Sequence, residues 1–325
     1  MTARRYSVFG RVLESDIPLP ELREVDEGEP YWRFRVVEEL PPTTNAAVIG
    51  EDPLYGSVSA RLVRHDAGMR IDVDDTGSFE LGSDGREIRW APLSEPWWGF
   101  GRSHLIGRVL ATALHLEGTV TLHASAVESA EGVAGFLAPK HFGKSTIGLR
   151  LVRAGMRFVT DDSLAVSVRD SSVVASPGVP SLRVTDPAGA PTDLMDGAVI
   201  PEPGRDGKIA LPPLPERLLM SAPTALCALY LLRPQKPGGD APSVARILLP
   251  ESEAVVRLMG QFKIGSMLGP AAGVHLLETA TRLSRRVPVY GLEIVRDLER
   301  LPDVVATISA WHGVPDGLGE PGVAG

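Results

Sequence analysis

The sequence predicts a mixed α/β (α+β) fold, on three observations. Residues 1–100 hold short strand-like segments broken by Gly, Pro and Asp turns; residues 132–162 read strand, loop, helix, strand; and apolar spacing after residue 250 turns helical. The expected organisation is a β-rich N-terminal domain (1–100), an α/β domain with a linking helix (101–312) and a Gly/Pro-rich tail (313–325) that is expected to be disordered.

In the N-terminal region the strand-like segments are 6–13, 31–37, 57–63, 69–73, 78–81 and 87–90, with Asp84-Gly85 as a hairpin signal. The acidic cluster Asp72, Asp74 and Asp75 suggests a calcium loop but lacks the glutamate that closes one, so a hairpin turn is the expectation. Trp97, Trp98 and Phe100 are expected to pack between domains. A helix follows over 103–116, its apolar face made by Leu105, Ile106, Val109, Leu110, Ala113 and Leu114. Residues 119–127 read as a strand with His123 inside it, a position that ordinarily holds a hydrogen-bonded core or rim histidine.

The next unit carries the chemistry. Residues 133–137 are a short apolar run of the kind that forms a buried strand, and the loop Ala138, Pro139, Lys140, His141, Phe142, Gly143 leads into a helix of about three turns that begins at Lys144. Strand, loop and helix in this order make a phosphate-binding loop: backbone N–H groups and the positive end of the helix dipole face an anion, Lys144 reaches the outer phosphates, and the Ser145 hydroxyl ligates magnesium, with Thr146 a second hydroxyl in reserve. Ala138 stands where the pattern G-x-x-x-x-G-K-[ST] has its first glycine. A second strand, 156–160, ends on Asp161 and Asp162. By itself this pair would be a solvated turn, but one helix after a phosphate loop both carboxylates can reach the phosphates. One would hold magnesium and the other accept a proton from an incoming hydroxyl; the choice is Asp161 as base and Asp162 at the metal, with the two roles exchangeable.

The order Leu122-His123-Ala124-Ser125, strand, loop with Gly143-Lys144-Ser145-Thr146, helix, strand, Asp161-Asp162 resembles the C-terminal catalytic domain of HPr kinase/phosphorylase, a fold similar to ATP-dependent phosphoenolpyruvate carboxykinases. A looser likeness runs through 180–184, 207–212 and 287–301. The resemblance implies that His123 is an active-site histidine, that Lys144 and Ser145 are the loop pair and that Asp161 and Asp162 are the acidic pair. Arg183 and Lys208 are weaker candidates for phosphate or acceptor contacts, against plain surface solvation. Three departures stand out: His123 is followed by Ala124 rather than glycine, the loop reads GKST rather than GKSE, and the Gly-rich downstream segment is missing. The chain therefore looks more like the HPr-kinase-related proteins found beside ribosomally made peptide pathways, lasso peptides included, which phosphorylate a precursor serine. What the resemblance implies is an ATP- and Mg2+-dependent kinase acting on a hydroxyl of a peptide or protein. A small-molecule kinase, or a nucleotide-binding scaffold without transfer activity, stays open as an alternative, as does the choice of ATP over GTP.

Composition narrows the partners. Net charge is −8 with Lys and Arg dispersed, so no nucleic-acid footprint is expected. No apolar run is long enough to span a bilayer and the first ten residues hold no apolar signal region, so a cytoplasmic location is expected. The single cysteine, Cys227, excludes an internal disulfide and lies in an apolar run where packing is its expected role. Oligomeric state is open, a homo-oligomer being one outcome. Further strands are expected at 225–232, a loop at 233–242, and helices at 252–267, 271–285 and 301–311.

Overall fold

The computed structural model describes residues 3–93, 98–139, 141–169, 171–184, 192–195, 202–203, 209–235 and 242–315. The chain is mixed α/β with two large sheets. The first sheet takes β1 (Arg4–Val8), β2 (Arg11–Ser15), β3 (Arg23–Glu24), β4 (Trp32–Val36), β5 (Ala47–Tyr55), β6 (Val58–His65), β7 (Gly68–Val73), β8 (Gly77–Gly82) and β9 (Glu87–Pro92). Its order is β3-β1-β2-β4-β9-β8-β7-β6-β5, with β4 parallel to β2 and β9 and the remaining pairs antiparallel. Alternation along the strands buries Leu13, Trp32, Phe34, Leu62, Ile71, Phe79, Leu81, Ile88 and Trp90 on one face, with Trp90 stacked on Phe79.

Two expectations are corrected here. The run 6–13 is a hairpin rather than a strand: Phe9 and Gly10 both take positive φ, 52° and 71°, which makes a two-residue turn whose twist suits the flanking strands. Strand β5 was not anticipated. Gly50, Asp52 and Pro53 all disfavour strands, and they are tolerated because β5 is an edge that pairs only with β6, with irregular register at Val48/Gly50 and Pro53/Tyr55.

The expected linking helix forms as α1 (Trp98–His104), a π-helical turn (Leu105–Val109) and α2 (Leu110–Leu116). Trp97 and the side chains of Trp98 and Phe100 lie outside the described residues. The second sheet is built from β10 (Val120–Leu122), β11 (Ala124–Ser129), β12 (Gly132–Leu137), β13 (Arg157–Thr160), β14 (Leu164–Val168) and β15 (Val173–Ala175), with α3 (Lys144–Arg153) between β12 and β13. After a small sheet of β16 (Arg183–Val184), β17 (Glu202–Pro203) and β18 (Ile209–Ala210) come β19 (Thr224–Gln235), β20 (Val244–Leu248), α4 (Glu251–Met259), α5 (Gly273–Ser284), β21 (Val289–Val295) and α6 (Leu301–His312).

The long strand β19 is the spine of the second sheet. It pairs in parallel with β12 and β21 and antiparallel with β15, and β20 closes the edge beyond β21. Strand Thr119–Val127 of the sequence reading is two strands, because the chain changes partner at His123: β10 pairs with β14, whereas β11 pairs with β12 and β13.

Each face of this sheet has its own apolar core. On one face Phe136, Phe158, Tyr230 and Leu292 meet Ile147, Leu151 and Val152 of α3 and Val304 and Ile308 of α6. The other core is continuous from Leu122, Leu164 and Leu229 through Leu105, Val109 and Leu110 to Trp32, Phe34 and Trp90 of the first sheet. The two sheets thus share one hydrophobic interior, in which a fully buried large side chain contributes roughly 1.5–3 kcal/mol. Cys227 is half-buried in β19; burial pushes its thiol up to about 11, and it donates to the Val133 carbonyl at 3.2 Å. Among the described residues no helix is long and apolar enough to cross a membrane.

Candidate functional site

The register of four strands makes the site. Ala124 lies opposite Leu137, so the loop after β12 starts beside His123. Leu122 lies opposite Leu164 and Ala126 opposite Thr160, so the residues between, 123–125 on one side and 161–163 on the other, face each other where both chains change partner. Strand pairing alone therefore brings His123 to Asp162 and both to the loop that follows β12.

The loop has the backbone of an anion cradle. His141 and Gly143 take φ of 67° and 91°, in the left-handed region, and Gly143 is the N-cap of α3. Alternation of this kind turns successive N–H groups to one side. The N-cap Gly143 offers no side-chain cap and no acidic residue lies in the first turn of α3, so among the described residues its N–H groups and dipole face the loop. Ala138 is buried at the end of the strand, Phe142 is 42% exposed at the tip, Ser145 is half-buried and Thr146 is exposed. Arg296 donates to the His141 carbonyl at 3.4 Å.

Lys144 is buried beneath this loop. Its Nζ donates to the carbonyls of Ala138 at 2.5 Å and Pro139 at 3.2 Å, and to His123 Nε2 at 3.3 Å. On its other side, His123 Nδ1 lies 3.1 Å from Asp162 Oδ1 and 3.3 Å from the Asp162 carbonyl. A proton on Nδ1 and a lone pair on Nε2 satisfy every one of these contacts, which assigns the neutral tautomer. Burial, the largest influence, pushes His123 below the usual imidazole value; Asp162 opposes this, and Lys263 and Lys144 add to it. His123 is therefore neutral at pH 7.

Lys263, which the sequence reading did not single out, completes the cluster. Its Nζ donates to Asp162 Oδ2 at 2.6 Å, and its side chain is 10% exposed. The expected helix over 252–267 stops at Met259. Beyond it Phe262 bridges Leu122, His123 N donates to the Gln261 carbonyl at 2.7 Å, and Lys263 N donates to the Thr121 carbonyl at 2.8 Å. The open edge of β10 offers unpaired backbone groups, and residues 261–263 take them. No local sequence signal announces such a bridge. The Asp162 carboxyl is 45% exposed yet crowded by protein. Burial disfavours its charge, but Lys263 and then His123 outweigh that and hold it well below the usual carboxylate range.

A depressed carboxylate stabilises the fold above its unfolded pKa, about 4, and that contribution disappears as pH falls through the lower folded value. Lys263→Met should therefore lower the urea midpoint at pH 7, and the gap to wild type should narrow below about pH 4. An equal gap at pH 7 and pH 3 would refute the Lys263–Asp162 linkage.

Asp161 is half-buried just after β13. Behind it, Gly178 lies so close that a Cβ there would sit 2.6 Å from Thr160 Cβ and 2.9 Å from the Val159 carbonyl. Gly178→Ala should push the end of β13, cost about 1–3 kcal/mol and lower Tm; an unchanged Tm would show that the strand end yields freely. Of the remaining candidates, Lys140 and Lys208 lie outside the described residues, and Arg183 is described only as backbone in β16.

Among the described residues no three His, Cys, Asp or Glu side chains gather into a self-contained metal cage. Magnesium beside a nucleotide does not need one, since it takes one or two protein oxygens and completes its shell with phosphate and water. Ser145, half-buried in the first turn of α3, and the ionised Asp162, whose oxygens face Lys263 and His123, are oxygen donors of that kind.

No family model matches the chain, and no curated protein matches it. Among solved structures, the HPr(Ser) kinase/phosphatase from Coxiella burnetii is similar over 58% of this chain and 93% of its own, at 14% identity and a TM-score of 0.29. A likeness at that level bears on neither the residues nor the chemistry.

Proposed function

We propose that the chain is a kinase that transfers the γ-phosphoryl group of ATP to a hydroxyl, the acceptor being a serine of a peptide or protein, in the cytoplasm where ATP is available. The observation that carries this reading is the single hydrogen-bonded line Lys144–His123–Asp162–Lys263, set at the mouth of a left-handed loop that opens an uncapped helix. Two lysines and a helix N-terminus around one carboxylate suit a polyanion whose charge shifts during reaction.

In this reading the serine oxygen attacks the γ-phosphorus, the bond to the β,γ-bridging oxygen breaks, ADP departs with that electron pair, and the serine proton passes to a carboxylate. The depressed Asp162 is a poor proton acceptor, which supports Asp161 in that role and Asp162 as the metal-side group. Ser145 and Asp162 would hold magnesium, which neutralises charge on the β- and γ-phosphates when bound. Lys144 offsets growing charge on the transferred group. His123 aims Asp162 and accepts from Lys144, so a shift in one is felt by the other.

The test is transfer of labelled γ-phosphate by the purified protein with magnesium, first to serine-containing precursor peptides and then to small hydroxyl compounds, read by mass spectrometry. Phosphopeptide is the expected product. Transfer only to small compounds would favour the small-molecule kinase, nucleotide binding without transfer would favour a scaffold, and absence of nucleotide affinity in calorimetry would defeat the nucleotide reading itself.

A further inference from the structure

We infer that the N-terminal sheet is part of the site, acting through Asp52 of its edge strand β5, which holds in place both segments that touch Asp162. One is the stretch after Lys263: Ser266 Oγ donates to Asp52 Oδ1 at 3.0 Å. The other is the π-helical turn: Arg108 donates to Asp52 Oδ2 through Nη2 at 2.8 Å and Nε at 3.2 Å. Its neighbour Gly107 lies against the carboxylate, the position of a Cβ there being 4.0 Å from Asp162 Oδ2. Asp52 thus joins the two elements that bound Asp162 on the side away from His123.

The backbones at this junction are in close register. A Cβ on Gly50 would run into the carbonyls of Met267 and Ser266, and one on Gly269, at φ 66°, into the Ile49 carbonyl. Strand β5 and residues 266–269 therefore have no slack between them, and Lys263 sits three residues before that contact. A π turn is an uncommon distortion that is frequently found at functional sites. Here its Arg108 is the residue that meets Asp52, two of its N–H groups sharing Oδ2, and with side chains 22% and 20% exposed the ion pair is largely shielded from solvent.

Asp52 is accordingly a positioning residue: it touches no reacting atom and acts through Lys263 and the π turn. This rests on the kinase reading for its kinetic consequence, but its structural consequence can be measured without nucleotide. The first measurement is the acylation rate of Lys263 by an amine-reactive reagent, read by peptide mapping of the full chain. Asp52→Ala should raise that rate about tenfold, the size of effect expected where two coupled contacts are removed, and Ser266→Ala should raise it less. Asp52→Asn, which keeps an acceptor for Arg108, should lie between.

The second measurement is kinetic. Asp52→Ala should lower kcat about tenfold with KM for ATP within about twofold, and should have a smaller effect once Lys263 is methionine, because only the path through the π turn then remains. A Lys263 acylation rate unchanged in both the Asp52→Ala and Ser266→Ala proteins would overturn the inference. So would an Asp52→Ala loss of kcat as large in the Lys263→Met background as in wild type. If wild type transfers no phosphate at all, the kinase reading falls and the acylation result alone decides the role of Asp52.

Discussion

Under the proposed kinase reading, Lys144→Met should lower kcat by about 10²–10³-fold, the loss expected when one preorganised donor to a developing charge is removed. Methionine keeps the apolar stem of the buried side chain, so folding is expected to survive. The substitution removes only the ammonium that contacts Ala138, Pro139 and His123. Those carbonyls turn inward a lysine that, in the proposed reading, would meet phosphate oxygens once nucleotide binds, since neutral acceptors are a weaker lure than a triphosphate. Labelled-phosphate transfer at saturating ATP checks the outcome, with circular dichroism to confirm the fold. Near-normal turnover in a folded Lys144→Met protein would remove Lys144 from the chemistry and the proposed reaction with it.

Asp161→Asn should cost about 10²–10⁴ in kcat, the range for loss of a general base, while leaving nucleotide affinity nearly unchanged. The reasoning is electrostatic. Lys263 and His123 hold Asp162 well below the usual carboxylate range, and in the proposed reading the role of base is therefore given to Asp161. Asp162→Asn should behave differently: it breaks the ion pair with Lys263 and the contact to His123, so magnesium dependence and acid stability shift along with turnover. If instead Asp162→Asn alone abolishes transfer and Asp161→Asn leaves it intact, the two roles are exchanged.

Much of the layout of the candidate site is legible in the sequence because its parts are close along the chain and each follows a local rule. Gly143-Lys144-Ser145 between an apolar run and a 3.6-residue pattern fixes strand, loop and helix without knowledge of the rest of the chain, and Asp161-Asp162 follows within one further element. His123 was singled out with less physical ground, since nothing local distinguishes it from a core histidine. What makes it part of the site is the change of strand partner on each side of it, which is a property of pairing rather than of the residues near it.

Misreadings elsewhere have the same origin. The hairpin at Phe9-Gly10 was hidden by a phenylalanine at positive φ, a conformation a bulky residue seldom takes. Strand β5 was hidden by three residues that an edge can carry and a central strand cannot. The helix expected over 252–267 ended early because the edge of β10 competes for residues 261–263.

By itself, then, the sequence determined the mixed α/β class, the β-rich opening, and the order of loop, helix and acidic pair, because each of these follows from spacing within about thirty residues. Tertiary structure alone decided that Lys263 holds Asp162, that a π turn brings Gly107 beside the same carboxylate, and that Asp52 on an edge strand ties the two together. Lys263 is 101 positions from Asp162, and Ser266 is 214 from Asp52. Contacts at that range are set by which backbone groups remain unpaired once the sheets form and by how closely two chains can pass. Neither quantity exists until the chain has folded.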